Sequence, residues 1–128
     1  MTSTHRPLRY AVIGCGSMGR EHIENIHALG AGEVVALADT HAGSLELAMQ
    51  RLPAQTRVFD DPKALLAQCD ADAIVIATPN HTHAAVLADA LETDAHILVE
   101  KPLVTRVEDG LALLNKAQGR KGMVWVAL

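Results

Sequence analysis

Apolar residues along the chain gather into short runs that predict the strands of a sheet. Five runs are almost wholly apolar, and a sixth at Arg57–Phe59 is weaker. The five lie at Tyr10–Gly14, Glu33–Asp39, Asp72–Thr78, Ala95–Glu100 and Met123–Leu128. Their interiors do not alternate between apolar and polar residues, which is typical of strands that are covered on both faces in a parallel sheet.

The stretches between these runs have the periodicity of amphipathic helices. Apolar residues recur at helical spacing at Ile23, Ile26 and Leu29, at Leu45, Ala48, Met49 and Leu52, and at Ala85, Val86, Ala88 and Leu91. Asp61 before Pro62 predicts the start of one helix, another opens near Thr82, and Thr105 with Glu108 forms a capping box for the last. Strands that alternate with helices indicate right-handed crossovers and a doubly wound α/β sheet.

Composition and charge narrow the classes of partner. The 128 residues are 49% apolar, with a net charge of −4 and no run of Lys or Arg. We therefore expect neither a nucleic-acid surface nor an anionic membrane contact, since both need clustered basic residues. No apolar run reaches the ~18 residues of a membrane helix, and the first ten residues lack the apolar core of a signal peptide. Cys15 and Cys69 form no C-x-x-C pair, so a reduced, cytoplasmic protein is expected.

A glycine-rich loop follows the first predicted strand. Gly14, Gly16 and Gly19 form a G-x-G-x-x-G motif between that strand and an amphipathic helix. In this context Gly14 permits a tight turn, Gly16 lets the backbone approach a pyrophosphate, and Gly19 lets the helix pack closely. The free N–H groups and positive dipole end of the helix favour phosphate. The predicted phosphate-binding residues are Gly14, Gly16, Ser17, Met18 and Gly19.

The second predicted strand ends in an acid, Asp39, about twenty residues after the last glycine, where a ribose-binding carboxylate belongs in a dinucleotide site. This carboxylate would accept hydrogen bonds from the ribose hydroxyls and repel a 2′-phosphate. The next residues are Thr40 and His41, with no arginine. The loop and Asp39 together predict a dinucleotide site that prefers NAD to NADP.

Two polar clusters follow the fourth and fifth predicted strands, when the weaker strand at Arg57–Phe59 is counted as the third. They are the segments Ala77–His83, with the sequence ATPNHTH, and Glu100–Pro102, with the sequence EKP. Ligands of an open α/β sheet bind outside the carboxyl ends of the strands. A strand order of 3-2-1-4-5-6 would bring both clusters to the same crevice as the glycine loop. The sequence therefore predicts one Rossmann-type dinucleotide-binding domain over residues 1–128.

Three segments together resemble the Gfo/Idh/MocA family of glucose–fructose oxidoreductases and inositol dehydrogenases. They are VIGCGSMGREH, ATPNHTHAAVLADAL and HILVEKPLV, and the resemblance extends from Arg9 to Leu128. The E-K-P motif is the most specific of the three. The resemblance implies an oxidoreductase that transfers hydride between a nicotinamide cofactor and a hydroxyl or keto group of a sugar, cyclitol or related polyol.

The resemblance also implies roles for the polar clusters. Thr78, Pro79 and Asn80 would line the nicotinamide-ribose side, and His83 would pack or bond beside the cofactor cleft. Glu100 would contact the nicotinamide end, and Lys101 would reach the substrate hydroxyl and assist proton transfer. A cis peptide between Lys101 and Pro102 would aim the lysine into the crevice.

Other residues suggest chemistry that the sequence does not favour. His81 and His83 form H-x-H, but no third ligand of a suitable type lies nearby, so no metal site is predicted. His22 is expected to be structural, and Cys69 to pack at a helix end. Cys15 lies near a helix N-terminus, which could lower its pKa. It is interpreted as a small, oxidisable loop residue.

Two other functions remain open. One is a non-catalytic NAD-binding sensor, although a sensor has no need of Lys101. The other is a methyltransferase that uses S-adenosylmethionine, against which the third glycine and the E-K-P motif count.

The resemblance implies a second, larger α/β domain that supplies the acid–base histidine and most substrate contacts. This domain is absent from the 128 residues. The chain is therefore expected to bind cofactor but to turn over little. We also expect a homo-oligomer, with self-association through apolar surface near the last strand.

Overall fold

The computed structural model describes residues 6–128, which form one six-stranded parallel sheet with the strand order β3-β2-β1-β4-β5-β6. The strands are β1 (Leu8–Ile13), β2 (Gly32–Ala38), β3 (Arg57–Phe59), β4 (Ala73–Ile76), β5 (His96–Val99) and β6 (Val124–Val126). The helices are α1 (Ser17–Leu29), α2 (Ala42–Met49), α3 (Pro62–Gln68), α4 (His83–Ala90) and α5 (Val107–Ala117), with a short 3₁₀ turn at Asn80–Thr82. The predicted sheet and strand order are confirmed.

Helices cover both faces of the sheet. On one face, α1 and α2 pack Ile23 and Leu45 against Val12, Leu37 and Val75. On the other, α3, α4 and α5 contribute Leu65, Leu87 and Leu113, which pack against Ile13, Ile76 and Ile97. Neighbouring residues of a strand point to opposite faces of the sheet. An almost wholly apolar strand therefore contributes side chains to the apolar layers on both faces.

The strands were predicted to be covered on both faces, but the two edge strands are partly exposed. Val124 and Val126 pack against the core, but Trp125 between them is 58% exposed. At the opposite edge, Val58 of β3 is 45% exposed. An edge strand has a neighbour on one side only, and the face of β6 that carries Trp125 is left open to solvent.

One predicted helix start is wrong. A capping box needs its Ser or Thr at the N-cap position and its acid three residues later. Helix α5 begins at Val107, its N-cap is Arg106, and no side chain caps it. Thr105 therefore lies one residue too early. By contrast, Asp61 caps α3 as predicted, accepting a hydrogen bond from the Lys63 N–H at 3.1 Å.

Arg120 fixes the start of β5 against the turn before β6. Its guanidinium donates to four main-chain carbonyls at distances of 2.6 to 3.0 Å: those of Leu91, Thr93, Ala95 and Gly122. Strand β5 is thereby held where its carboxyl end presents Glu100 beside the ends of β4 and β1.

Candidate cofactor and active site

The glycine loop has the geometry that its sequence predicts. Gly14 has a φ of +96°, and a Cβ there would lie 2.5 Å from the Ala77 carbonyl, so no other residue fits this turn. Gly19 lies against the Gly14 carbonyl oxygen, which lets α1 start close to the loop. A Cβ on Gly16 would meet nothing within 4 Å. The space in front of Gly16 is open for a phosphate group.

Helix α1 begins with its first N–H groups available. Gly16 is its N-cap, and no side chain caps it. The first N–H groups of a helix have no partner within the helix, so those at Ser17, Met18 and Gly19 can donate to an anion. A pyrophosphate therefore fits the site, both in its space and in its donors.

Asp39 is bound to the glycine loop. Its Oδ2 accepts a hydrogen bond from the Cys15 N–H at 2.7 Å, and its Oδ1 accepts one from the His41 N–H at 2.8 Å. Each carboxylate oxygen has a second lone pair, so the group can still accept from hydroxyls. The loop thus fixes the orientation of the predicted ribose ligand.

A cleft of about 660 Å³ brings these residues together. Its lining includes most of the predicted residues, namely Gly14, Gly16, Ser17, Met18, Asp39, Thr78 and Pro79. It also includes residues that the sequence reasoning did not select, among them His41, Ser44, Pro62, His81 and Val86. The position of His41, two residues after Asp39, was a signal that could have indicated its place.

A larger cleft of about 1060 Å³ lies at the opposite end of the sheet, lined among others by Arg6, Asp72 and His96. It opens at the amino ends of the strands. Ligands of open α/β sheets bind at the carboxyl ends. The smaller cleft is therefore the candidate site, despite its size.

The E-K-P turn continues the site beyond the cleft. Glu100 is largely buried, and its Oε1 lies 2.7 Å from Nε2 of His22 in α1. Lys101 is exposed, and its ammonium makes no ion pair or hydrogen bond within the described residues 6–128. The Lys101–Pro102 peptide bond is cis, as predicted. The sequence reasoning missed the His22–Glu100 contact, because 78 residues separate its partners.

His83 lies beneath the site, with none of its surface exposed. Its Nδ1 is 2.6 Å from the Pro102 carbonyl oxygen, and its Nε2 is 2.9 Å from that of Thr78. Both partners are main-chain carbonyl oxygens, so the ring is held between the ends of β4 and β5. A direct contact of His83 with cofactor stays a prediction, and the geometry favours an indirect role. Neither ring nitrogen is available for a metal.

Burial, and not its position near the N-terminus of α1, decides the pKa of Cys15. Its thiol is fully buried, and Sγ lies 3.7 Å from the Ala38 carbonyl oxygen. Burial, reinforced by the nearby Asp39 carboxylate, raises the pKa of the thiol to about 12. Desolvation of the thiolate outweighs any effect of the helix N-terminus.

Comparison with known proteins agrees with this geometry. The sequence profile of the family GFO_IDH_MocA, described as "Oxidoreductase family, NAD-binding Rossmann fold", matches residues 8–128. The chain belongs to the Gfo/Idh/MocA family. Membership confirms the predicted family and cofactor, NAD, and excludes the methyltransferase alternative.

The relatives in this family include inositol dehydrogenases. The chain is 37% identical over 124 residues to inositol 2-dehydrogenase of Pseudarthrobacter chlorophenolicus, covering 94% of this chain and 36% of that protein. It is 35% identical over 109 residues to inositol 2-dehydrogenase 2 of Paenarthrobacter aurescens, covering 84% and 32%. The chain thus spans about a third of the length of these relatives.

Solved structures share the fold at similar identity. Myo-inositol dehydrogenase from Lactobacillus casei, solved with NAD(H) and myo-inositol, superposes with a TM-score of 0.88 at 31% identity. The WlbA dehydrogenase from Bordetella pertussis, solved with NADH and UDP-GlcNAcA, gives a TM-score of 0.87 at 31% identity. Each superposition covers 95% of this chain and 37% of the other.

No helix within residues 6–128 has both the length and the apolar character needed to cross a membrane.

Proposed function

We propose that this chain is the cofactor-binding part of an NAD-dependent dehydrogenase that acts on a hydroxyl group of a cyclitol, sugar or related polyol. The observation that carries the proposal is the alignment of three features along one edge of the sheet. Asp39 follows β2, the glycine loop follows β1, and Glu100–Lys101 follows β5. A dinucleotide laid along this edge would have its nicotinamide end beside Lys101. The dehydrogenases of inositol among its relatives support the substrate class.

The residues of the site divide the chemistry between them. The glycine loop and the start of α1 bind phosphate, and Asp39 accepts from ribose hydroxyls. A dinucleotide held by these residues would supply the nicotinamide as acceptor for the hydride of the carbinol carbon. Oxidation of the carbinol also releases the hydroxyl proton, and Lys101 would hydrogen-bond that oxygen and assist the proton transfer. The exposed lysine has no competing partner among the described residues.

The proposed preference for NAD rests on the charge and surroundings of Asp39. A carboxylate already bound by two main-chain N–H groups cannot move away from a 2′-phosphate. Thr40 and His41 line the same part of the cleft and offer no guanidinium to offset the repulsion. An Asp39→Asn variant replaces the carboxylate by a neutral amide. It would therefore lose the repulsion of a 2′-phosphate and also one of the two oxygens that can accept from the ribose.

Calorimetric titration of the chain with NADH and with NADPH tests the proposal. We expect NADH to bind about tenfold or more tightly than NADPH, equivalent to about 1.4 kcal/mol. In Asp39→Asn this preference should fall towards unity. Asp94→Asn, which changes an exposed acid far from the cleft, should keep it. A cooperatively unfolding chain that binds neither nicotinamide dinucleotide would overturn the proposal.

We also propose that the chain associates with copies of itself through β6. This strand is an edge of the sheet, paired only with β5. Its outward-facing Trp125 and the neighbouring Met123 are 58% and 51% exposed. An exposed apolar edge strand offers unpaired main-chain groups and apolar area to another copy.

A further inference from the structure

The E-K-P turn is held on both sides of Lys101 by histidines from opposite faces of the sheet. We propose that His22 and His83 are positioning residues, which fix the turn so that Lys101 is presented at the nicotinamide end of the site. This inference rests on the proposed function. It assigns to His22, which the sequence indicated as structural only, a part in the site, and it gives His83 a defined one.

The first contact comes from α1. The Nε2 of His22 lies 2.7 Å from Oε1 of Glu100, and their side chains are only 17% and 14% exposed. A hydrogen bond to a carboxylate that is shielded from water is stronger than one at the surface. The same helix begins at the glycine loop. His22 therefore joins the element that binds phosphate to the residue at the end of β5.

The second contact comes from α4, on the other face. His83 is fully buried, and its two ring nitrogens lie against the carbonyl oxygens of Pro102 and Thr78. Thr78 follows β4, and Pro102 follows Lys101. His83 therefore ties the two polar clusters at the ends of β4 and β5 to each other.

Lys101 lies between these two fixed points. Its preceding residue is held through a side chain and its following residue through a carbonyl. The ammonium itself has no partner within residues 6–128. The backbone of the lysine is thus constrained while its side chain stays free to meet a ligand. Such support of a reacting residue is what keeps a site in its productive geometry.

The test compares NADH with ADP-ribose, which has the same adenosine and phosphate groups but no nicotinamide. Calorimetry would be done on the wild-type chain, His22→Leu and His22→Gln. We expect His22→Leu to lose NADH affinity about tenfold, the size of a lost hydrogen bond to a charged group, with ADP-ribose binding unchanged. Glutamine places an amide donor near the position of Nε2 and should recover most of the loss. His27→Leu, on the exposed side of the same helix, is the control.

Two variants of His83 test the second contact without removing all of its hydrogen bonds. Asparagine keeps a donor near Nδ1, which faces Pro102, and glutamine keeps one near Nε2, which faces Thr78. We expect His83→Asn to retain the wild-type ratio of NADH to ADP-ribose affinity. His83→Gln should lower it, because the bond to the turn is the one that is lost.

The outcomes separate the two proposals. Wild-type chain that binds neither ligand would overturn the proposed function, and this inference with it. Wild-type binding of both ligands, with unchanged ratios in His22→Leu and His83→Gln, would overturn the inference alone. Equal losses of NADH and ADP-ribose affinity would also overturn it, since the histidines would then support the fold rather than the turn.

Discussion

The properties of Cys15 depend on the burial of its side chain and not on its position in the glycine loop. It stands in the glycine loop, one residue before the N-cap of α1. Its side chain nevertheless points into the core beside Ile23 and Leu45, away from the cleft. The thiol therefore has no access to the phosphate-binding side of the loop, while its main-chain N–H serves that side by binding Asp39.

The raised pKa of Cys15 predicts a loss of stability in alkali. Its ordinary value of 9.0 applies to the unfolded chain, and burial raises the pKa to about 12 in the folded one. Between these values the unfolded chain has lost the proton that the folded chain keeps, so rising pH favours unfolding. The contribution is at most ~1.4 kcal/mol per pH unit.

Urea unfolding of wild type and Cys15→Ala at several pH values above 9 measures this contribution. The free energy of unfolding should fall less steeply with pH in the variant. Burial also raises the pKa of the partly exposed Cys69 thiol, so Cys69→Ala should change the slope in the same direction but by less than Cys15→Ala. Parallel slopes for wild type and Cys15→Ala would contradict the prediction.

In the strand–loop–helix element at the start of the chain, one glycine is needed for folding and another for binding. Gly14 has a positive φ and lies against the end of β4, so its side of the loop faces protein. Gly16 has a φ of −71° and faces open space. Any residue can adopt the backbone of Gly16, whereas Gly14 has neither the conformation nor the room for a side chain.

Alanine at each position should therefore have a different effect. Gly14→Ala should lower the free energy of unfolding by ~2 kcal/mol or more, from strain and overlap with the Ala77 carbonyl. Gly16→Ala should leave stability within ~0.5 kcal/mol of the wild type but weaken NADH binding, because its Cβ enters the phosphate space.

Thermal unfolding and NADH titration of both variants give the two readouts. Gly119→Ala, at a positive φ of +77° with open space around it, isolates the cost of backbone conformation. Full NADH affinity in Gly16→Ala would place the pyrophosphate elsewhere.

The sequence predicted features that depend on residues close together in the chain. It did not predict contacts between residues that are far apart in the chain. The glycine loop, Asp39 and the strand order follow from local patterns, because a βαβ unit has few allowed arrangements. The contact of His22 with Glu100 depends on how α1 lies over the sheet, which no local pattern encodes. The partners of His83 likewise come from the ends of two different strands.

Errors of the sequence reasoning arose where tertiary packing decided between local alternatives. Thr105 and Glu108 have the spacing of a capping box, yet α5 starts after Arg106. Leu111 and Leu114 of that helix are each 61% exposed, and Leu113 is the residue that packs inward. Periodicity gave the helix without giving its rotation about its axis.

At the scale of the whole molecule, two groups of exposed apolar side chains lie on α5 and on β6. One comprises Leu111 and Leu114 on the outer side of α5, and the other Met123 and Trp125 at the β6 edge. The inward-facing Val124 and Val126 pack in the core layer that α5 also joins, so Trp125 points to the opposite face of the sheet. Of these two groups, the β6 group combines apolar side chains with the unpaired main-chain groups of an edge strand, which is why it is the proposed contact between copies.

A change in each group tests which surface self-associates. In sedimentation experiments over a wide concentration range, the wild-type chain should form dimers or larger species. Trp125→Lys should remain monomeric, because a lysine on an edge strand opposes pairing with another chain. Leu114→Lys, a matched change on α5, should associate like the wild type.

Trp125 is the only tryptophan, so its fluorescence should shift to shorter wavelength as the wild type associates and the indole leaves water. A wild-type chain that stays monomeric throughout, or a Leu114→Lys variant that alone becomes monomeric, would show that β6 is not the contact.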